Sequence, residues 1–305
     1  MSKKIRYSEI FYSFQGEGAY TGKPTVWIRF FGCNLECSGF GQKEPTKPET
    51  YELPYKKLDI TQIKSLDHMP VFDYGCDSSY SWASKFKHLA KTETVEKVCD
   101  KLIKLIPQNR FSPRFDVTSI QTPSQIHLAF TGGEPMLWQQ SMIDIIDELI
   151  ARGEYPRFVT VETNGTQNLS KELSNKIVYW SEELGIEWFW SVSPKLEHVS
   201  GEKDAVKPDI IAQYMYSSTA GQLKFVLNNS KEAWAELESY HFYTNWDIGC
   251  PTLWDTYIMP VGATTDSQTG SINKELAEIA TKAINKGYCV SGRVHCQIFG
   301  NSLGT

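Results

Sequence analysis

The chain has 305 residues, 41% of them hydrophobic, and a formal net charge of −5. That length allows about two average domains or one α/β barrel; the apolar share supports a sizeable core, and neither Gly nor Pro is in the excess that marks disorder. The negative charge and the lack of a Lys/Arg block argue against nucleic acid as a partner, and no apolar run of about 18 residues exists to cross a membrane. Met1 to Tyr7 lack the apolar stretch of a secretion signal. The seven cysteines are odd in number and unevenly spaced. The expectation is therefore a cytoplasmic chain whose thiols are reduced or serve as ligands.

Near the start lies Ser13-Phe14-Gln15-Gly16-Glu17-Gly18. Its glycines allow a tight backbone, and Gln15 and Glu17 share a face in extended chain. A polar turn before a strand and a substrate clamp are both open readings. The run Thr25 to Phe31, bounded by Pro24 and Gly32, reads as a buried strand. Arg29 lies inside it, and a buried arginine needs a partner. That partner is either a structural carboxylate or a substrate carboxylate, which the guanidinium fork suits. Gly32-Cys33-Asn34-Leu35-Glu36-Cys37 follows. Thiolates are soft ligands, and a short loop can aim two of them at one metal or cluster.

Residues 38–75 carry Pro45, Pro48, Pro54 and Pro70, many charges and little periodicity. They read as a surface insertion with a short helix near Ile60–Leu66. Beyond it, Gly75-Cys76-Asp77-Ser78 places a thiol in a polar loop beside two hard oxygen donors. A helix follows, capped by Thr92 or Thr94, with Val95, Val98, Cys99, Leu102, Ile103 and Ile106 on one face. Cys99 on that stripe reads as core, not ligand. A second polar insertion covers about 107–124.

A regular rhythm then begins. Strands at 126–130, 157–161, 187–192, 222–227 and 254–259 alternate with helices, the first with Met142, Ile145, Ile146 and Leu149 on one face and the others near 170–184, 204–217, 231–241 and 271–286. With Thr25–Phe31 that makes six strand–helix units, which imply parallel strands with right-handed crossovers. The predicted fold is α/β, a partial (β/α)6 barrel in one domain over 1–305, with insertions at about 38–75 and 107–124. In a parallel barrel the C-terminal strand ends share one rim. That rim would gather Cys33, Cys37, Gly132, Glu134, Glu162, Asn164, Ser193 and Lys195.

Cys33, Cys37 and Cys76 offer three thiolates. Structural zinc takes four ligands, usually with a second Cys pair, and no second pair is present. His295-Cys296 could supply one, but Cys296 lies in the apolar stretch Val294 to Phe299. On spacing alone a cluster, a zinc ion and unligated thiols all remain open. Thr131-Gly132-Gly133-Glu134-Pro135 is either a close-approach turn with one carboxylate or a bare strand cap; it is not a phosphate loop. Glu162 and Asn164 are ribose hydrogen-bonders or part of an Asn-Gly turn. Lys195 is a solvated lysine or an anion contact.

Taken in order, Phe11 to Gly18, Phe31-Gly32-Cys33-Asn34-Leu35, Cys76-Asp77-Ser78, Thr131 to Pro135, Glu162-Thr163-Asn164-Gly165-Thr166 and Ser193-Pro194-Lys195 resemble the radical S-adenosylmethionine (SAM) superfamily. Within it they resemble the 7-carboxy-7-deazaguanine synthase family, over most of the chain outside the insertions. The resemblance implies a [4Fe–4S] cluster on Cys33, Cys37 and Cys76, with SAM on the fourth iron. A one-electron donor such as flavodoxin would drive cleavage of SAM to a 5′-deoxyadenosyl radical. The implied substrate is 6-carboxy-5,6,7,8-tetrahydropterin, which loses a hydrogen from C6, contracts and releases ammonia to give 7-carboxy-7-deazaguanine, on the route to queuosine-type bases.

Carried over residue by residue, Ser78 would hold Mg²⁺, a hard ion suited to oxygen donors. Phe14, Gln15, Gly16, Glu17, Arg29 and Thr131 would hold the pterin. Gly75, Asp77, Gly132, Gly133, Glu134, Glu162, Asn164, Ser193, Pro194, Lys195, Met259 and Pro260 would hold SAM. The family also implies a homodimer. The chain departs from the superfamily pattern at Phe40, where a third cysteine usually stands; Cys76 takes that place across the insertion. Ser78 replaces the commoner threonine, and Gly75 replaces an aromatic. Two other readings share some of these features: an activating enzyme that makes a glycyl radical on a protein partner, and a non-catalytic zinc-binding protein.

Overall fold

Apolar runs closed by Gly or Pro become strands, and amphipathic stretches between them become helices. The structure, a computed structural model, describes residues 3–111, 125–218, 220–245, 254–300 and 302–304. The strands are β1 (Lys4–Phe14), β2 (Pro24–Phe30), β3 (Lys91–Thr94), β4 (His127–Gly132), β5 (Phe158–Thr163), β6 (Glu187–Val192), β7 (Gly221–Leu227), β8 (Asp255–Pro260) and β9 (Cys289–Val290). The helices are α1 (Pro54–Lys57), α2 (Val95–Leu105), α3 (Gln139–Ala151), α4 (Lys171–Leu184), α5 (Glu197–Ser200), α6 (Pro208–Ser217), α7 (Lys231–Asn245), α8 (Glu275–Asn285) and α9 (Val294–Phe299).

Among the described residues these nine strands form one sheet in the order β3-β1-β2-β4-β5-β6-β7-β8-β9. From β2 to β9 each neighbour pair is parallel. The pairs β1–β2 and β1–β3 are antiparallel. The fold is therefore α/β with a mostly parallel sheet. The six expected parallel strands are all present, and β1, β3 and β9 extend the sheet at its two sides. Of the stretch Ser13–Gly18, open between a polar turn and a clamp, Ser13 and Phe14 belong to β1 and the turn begins at Gln15.

The helices meet the sheet through the predicted stripes. Thr94 caps α2, its Oγ1 accepting the Lys97 N–H at 3.5 Å, while Thr92 belongs to β3. Cys99 is fully buried on α2, in the core. Ser170 caps α4, and Gly185 at φ 62° ends it. Trp180, Trp188, Trp190 and Tyr214 form a stacked and edge-on series within the core. Each fully buried large side chain contributes roughly 2 kcal/mol of transfer free energy.

The first insertion is more than surface. Tyr55, Ile63, Met69, Phe72, Tyr80, Phe86 and Leu89 make a second, smaller core, and Leu303 packs on it. The expected helix near Ile60–Leu66 is replaced by α1 and two single 3₁₀ turns, Ile60–Gln62 and Leu66–His68. Of the second insertion, residues 112–124 lie outside the described residues. Among the described residues no helix is long and apolar enough to cross a membrane.

Candidate active site

The C-terminal strand ends enclose a cavity of about 270 Å³. The β2 end delivers the first cysteine loop. Gly32, at φ 124°, donates its N–H to the Ser81 carbonyl at 2.8 Å and accepts the Glu134 N–H at 2.8 Å. Cys37 has φ 50°, a conformation few non-glycine residues adopt. The Glu202 carboxylate accepts the N–H groups of Glu36 and Cys37 and holds that turn. The Leu35 N–H points at Cys33 Sγ at 3.4 Å. Cys76 arrives because the Gly75 N–H donates to the Phe40 carbonyl at 2.8 Å. That bond returns the chain, after the whole insertion, to the end of the first cysteine loop.

Cys33, Cys37 and Cys76 all line the cavity. Burial pushes Cys33 up to about 12 and Cys76 up to about 11, and holds Cys37 well above its usual value. As bare thiols all three are protonated at neutral pH, so ligation must release protons. Among the described residues no group of three His, Cys, Asp or Glu side chains converges as ligands of a single ion. A four-iron cluster takes each thiolate on a different iron, and three cysteines lining one cavity are compatible with such a group.

Gly132 and Gly133 lie against this loop. A Cβ on Gly133 would sit 2.3 Å from the Gly32 carbonyl oxygen and 2.6 Å from Cys33 Cβ. Glu134 does not face the cavity. Its carboxylate is fully buried and accepts from Met136 N, Thr163 Oγ1 and Asn164 N at 2.6–2.9 Å. Asn164 lines the cavity, yet its Oδ1 accepts from Thr166 N and Oγ1, which is the Asn-Gly turn geometry, with Gly165 at φ 77°. Ser193, Lys195, Gly75, Asp77, Met259 and Pro260 also line it, and Pro194 does not. Lys195 Nζ donates to Ser193 Oγ at 2.9 Å.

Another part of the lining is charged. Phe14, Gln15, Gly16, Glu17, Arg29 and Thr131 all belong to it. Gln15 Nε2 donates to Glu162 Oε1 at 2.9 Å, so Glu162 faces the Gln15 turn. Lys224 Nζ sits between Glu162 at 2.6 Å and Glu17 at 2.8 Å. Arg293 reaches Glu17 at 3.0 Å and Asp77 at 2.8 Å. Burial opposes ionisation of Glu17, but Lys224 and then Arg293 hold its carboxyl below the usual carboxylate range. Burial also opposes charge on Lys224, and Glu162 and Glu17 raise it above its ordinary value regardless. His295, beside Gly16, is pushed down by burial against the pull of Glu17.

Arg29 has a structural partner, Glu9, at 2.7 Å, which also accepts from the Tyr80 hydroxyl at 2.8 Å. Its NH1 reaches Ser78 Oγ at 3.4 Å. Lys224 and Arg293 are not among the residues the sequence points to, and His295, weighed there only with Cys296 as a zinc ligand, lines the cavity. Lys224 carried the same signal as Arg29, a lone cation inside an apolar strand. Arg293 and His295 sit at the start of a six-residue helix with no flanking pattern to mark it.

No family model matches the chain. It is 25% identical to the 7-carboxy-7-deazaguanine synthase of Pyrobaculum aerophilum over 303 residues, 99% of this chain and 97% of that protein. It is 24% identical to the enzyme of the same name from Rhodopirellula baltica, over 98% of this chain and 88% of that protein. The structure is similar to the crystal structure of QueE from Escherichia coli, with a TM-score of 0.51 and 17% identity over 94% of this chain and 93% of the other. That last likeness is one of fold.

Proposed function

We infer that this chain belongs with the 7-carboxy-7-deazaguanine synthases, lyases of the radical SAM superfamily, and converts 6-carboxy-5,6,7,8-tetrahydropterin to 7-carboxy-7-deazaguanine with release of ammonia. The observation that carries this reading is similarity to such enzymes along 99% of the chain. The cavity agrees with it. Three cysteines line it, together with amide and guanidinium groups that suit a pterin carboxylate. We read the six long parallel strands as a partial (β/α)6 barrel with this cavity at its rim.

Cys33, Cys37 and Cys76 would hold a [4Fe–4S] cluster. The wall at Gly132, Gly133, Asn164, Ser193, Lys195, Met259 and Pro260 would hold SAM, with Glu134 and Pro194 setting that wall from behind. When bound, the cluster and SAM supply the reductive bond cleavage that begins hydrogen abstraction from the substrate. The chain's own residues bind, orient and exclude water. Arg29, with one edge tied to Glu9, presents its remaining N–H groups to a substrate carboxylate. Gln15 is fixed in aim by Glu162. Phe11 and Trp27, stacked at 5.8 Å, form a dry side of the cavity. Ser78 Oγ donates to Asp77 Oδ1 at 3.1 Å and is approached by Arg29 NH1 at 3.4 Å, which leaves it one lone pair for Mg²⁺. An outside one-electron donor such as flavodoxin, a homodimer and a cytoplasmic location, where thiols stay reduced, belong to the same proposal.

Anaerobic reconstitution should load about four irons per chain, the cluster stoichiometry. Incubation with SAM, Mg²⁺, reductant and the carboxytetrahydropterin should then yield the deazaguanine acid and ammonia by mass spectrometry. One zinc per chain, or SAM cleavage that proceeds only with a glycyl-radical protein, would replace this reading.

A further inference from the structure

We propose that Arg293 is a positioning residue that aims the Ser78 hydroxyl, acting through Asp77, and fixes the Glu17 turn with the same guanidinium. The inference rests on the reading of Ser78 as the magnesium-holding hydroxyl. Arg293 stands just before α9, and its backbone is held without help from its side chain. Its N–H donates to Gln268 Oε1 at 3.2 Å, and the next N–H, of Val294, donates to the Gly16 carbonyl at 3.0 Å. The guanidinium then joins three segments remote in sequence. Nε meets Glu17 Oε1 at 3.0 Å, NH1 meets Asp77 Oδ2 at 2.8 Å, and NH1 also reaches the Gly262 carbonyl at 3.2 Å.

Asp77 is used from both sides. One oxygen takes Arg293, and the other accepts the Ser78 hydroxyl at 3.1 Å. A hydroxyl has a single hydrogen. With it committed to Asp77, the Ser78 oxygen is left as an acceptor, one lone pair met by Arg29 NH1 at 3.4 Å and the other open to a cation. Without Arg293, Asp77 loses its 2.8 Å ion pair and its carboxylate is freed to turn toward the Arg29 guanidinium, which already reaches Ser78 Oγ at 3.4 Å. Through Glu17, the guanidinium also sets Lys224, which bridges Glu17 to Glu162. Lysine is a poor substitute, since an ammonium lacks the planar fork that meets Glu17, Asp77 and the Gly262 carbonyl in fixed directions.

The test uses Mn²⁺ as the probe, followed by electron paramagnetic resonance on reconstituted protein with SAM and the pterin present. Arg293→Met should weaken Mn²⁺ binding about tenfold or more, the scale of one charged hydrogen bond, with iron content unchanged. Arg293→Lys should keep iron and fold but restore little of the affinity. In a Ser78→Ala background Arg293→Met should have no further effect, because the two act as one unit. Additive losses, or wild-type affinity in Arg293→Met, overturn the proposal. Should Arg293→Met fail to fold, the Lys variant decides alone: full wild-type affinity there overturns it. Wild-type protein that makes the deazaguanine but binds no Mn²⁺ overturns this inference and leaves the synthase reading standing.

Discussion

The Glu134 carboxylate accepts the backbone N–H of Asn164 at 2.7 Å, so the turn after β4 is tied directly to the turn after β5. Burial pushes this carboxyl above its usual value, while the donors from Thr163, Asn164 and Met136 pull the other way. The geometry favours the ionised form, since each of the three donors finds an acceptor on it.

Glu134→Gln puts an NH₂ group where a donor already points. The expected cost is about 1–3 kcal/mol, the penalty for a buried donor left unpaired, read by urea unfolding. SAM affinity should fall with it, because Gly133 and Asn164 lose their common anchor. Unchanged stability would show that Glu134 is not the tie between the two turns.

Gly133→Ala adds a methyl that would stand 2.3 Å from the Gly32 carbonyl and 2.6 Å from Cys33 Cβ. Neither atom belongs to a flexible side-chain tip, so the loop must move. The variant should fold, since the packed core lies beneath the sheet ends, but assemble less cluster. Iron per chain after reconstitution measures this, and full iron loading would contradict it.

Much of this arrangement is legible in the sequence for a physical reason. The six parallel strands are buried on both faces, so each reads as an apolar run. β1 is harder to see because Arg6, Ser8, Glu9 and Ser13 interrupt it, and Glu9 is inside only because Arg29 meets it from β2. The insertion's core is invisible for a related reason. Tyr55, Ile63, Met69 and Phe72 follow no helical or strand period, and they come together through turns. Cys76 was found from its own loop chemistry, but the Gly75–Phe40 bond that carries it to the site has no sequence signature. Glu134 shows the limit of motif reading: its place in the turn was correct, while its direction, away from the cavity, depends on donors from β5.

His127 supplies a pH-dependent term. It is 3% exposed, stacked on Phe158 at 4.6 Å, and its Nδ1 has no partner among the described residues. Burial, with Lys23 adding to it, lowers its pKa from 6.5 to about 4. Between those values the unfolded chain takes up a proton that the folded chain refuses. Stability from this residue is therefore full above 6.5 and is lost as pH falls toward 4. His127→Phe removes the term. Relative to wild type, the variant should gain about 2 kcal/mol between pH 7 and 5, on the scale of 1.4 kcal/mol per pH unit. Urea unfolding at the two pH values decides it, and parallel wild-type and variant curves would exclude the mechanism.

Cys76 and Cys99 are both buried thiols pushed up by burial, to about 11 and about 12. Titration alone does not separate them; their surroundings do. Cys99 points into the α2–α3 contact, its Sγ 3.8 Å from the Ile145 carbonyl, where no other thiol lines a cavity with it. Cys76 faces the same cavity as Cys33 and Cys37. Cys99→Ala should therefore cost only packing, roughly 1 kcal/mol, and keep full iron content and the cluster's visible absorption. Cys76→Ala should fold with near-wild-type stability and fail to assemble the cluster. Iron retained by Cys76→Ala would remove the third ligand from the insertion's end and return the search to the remaining cysteines.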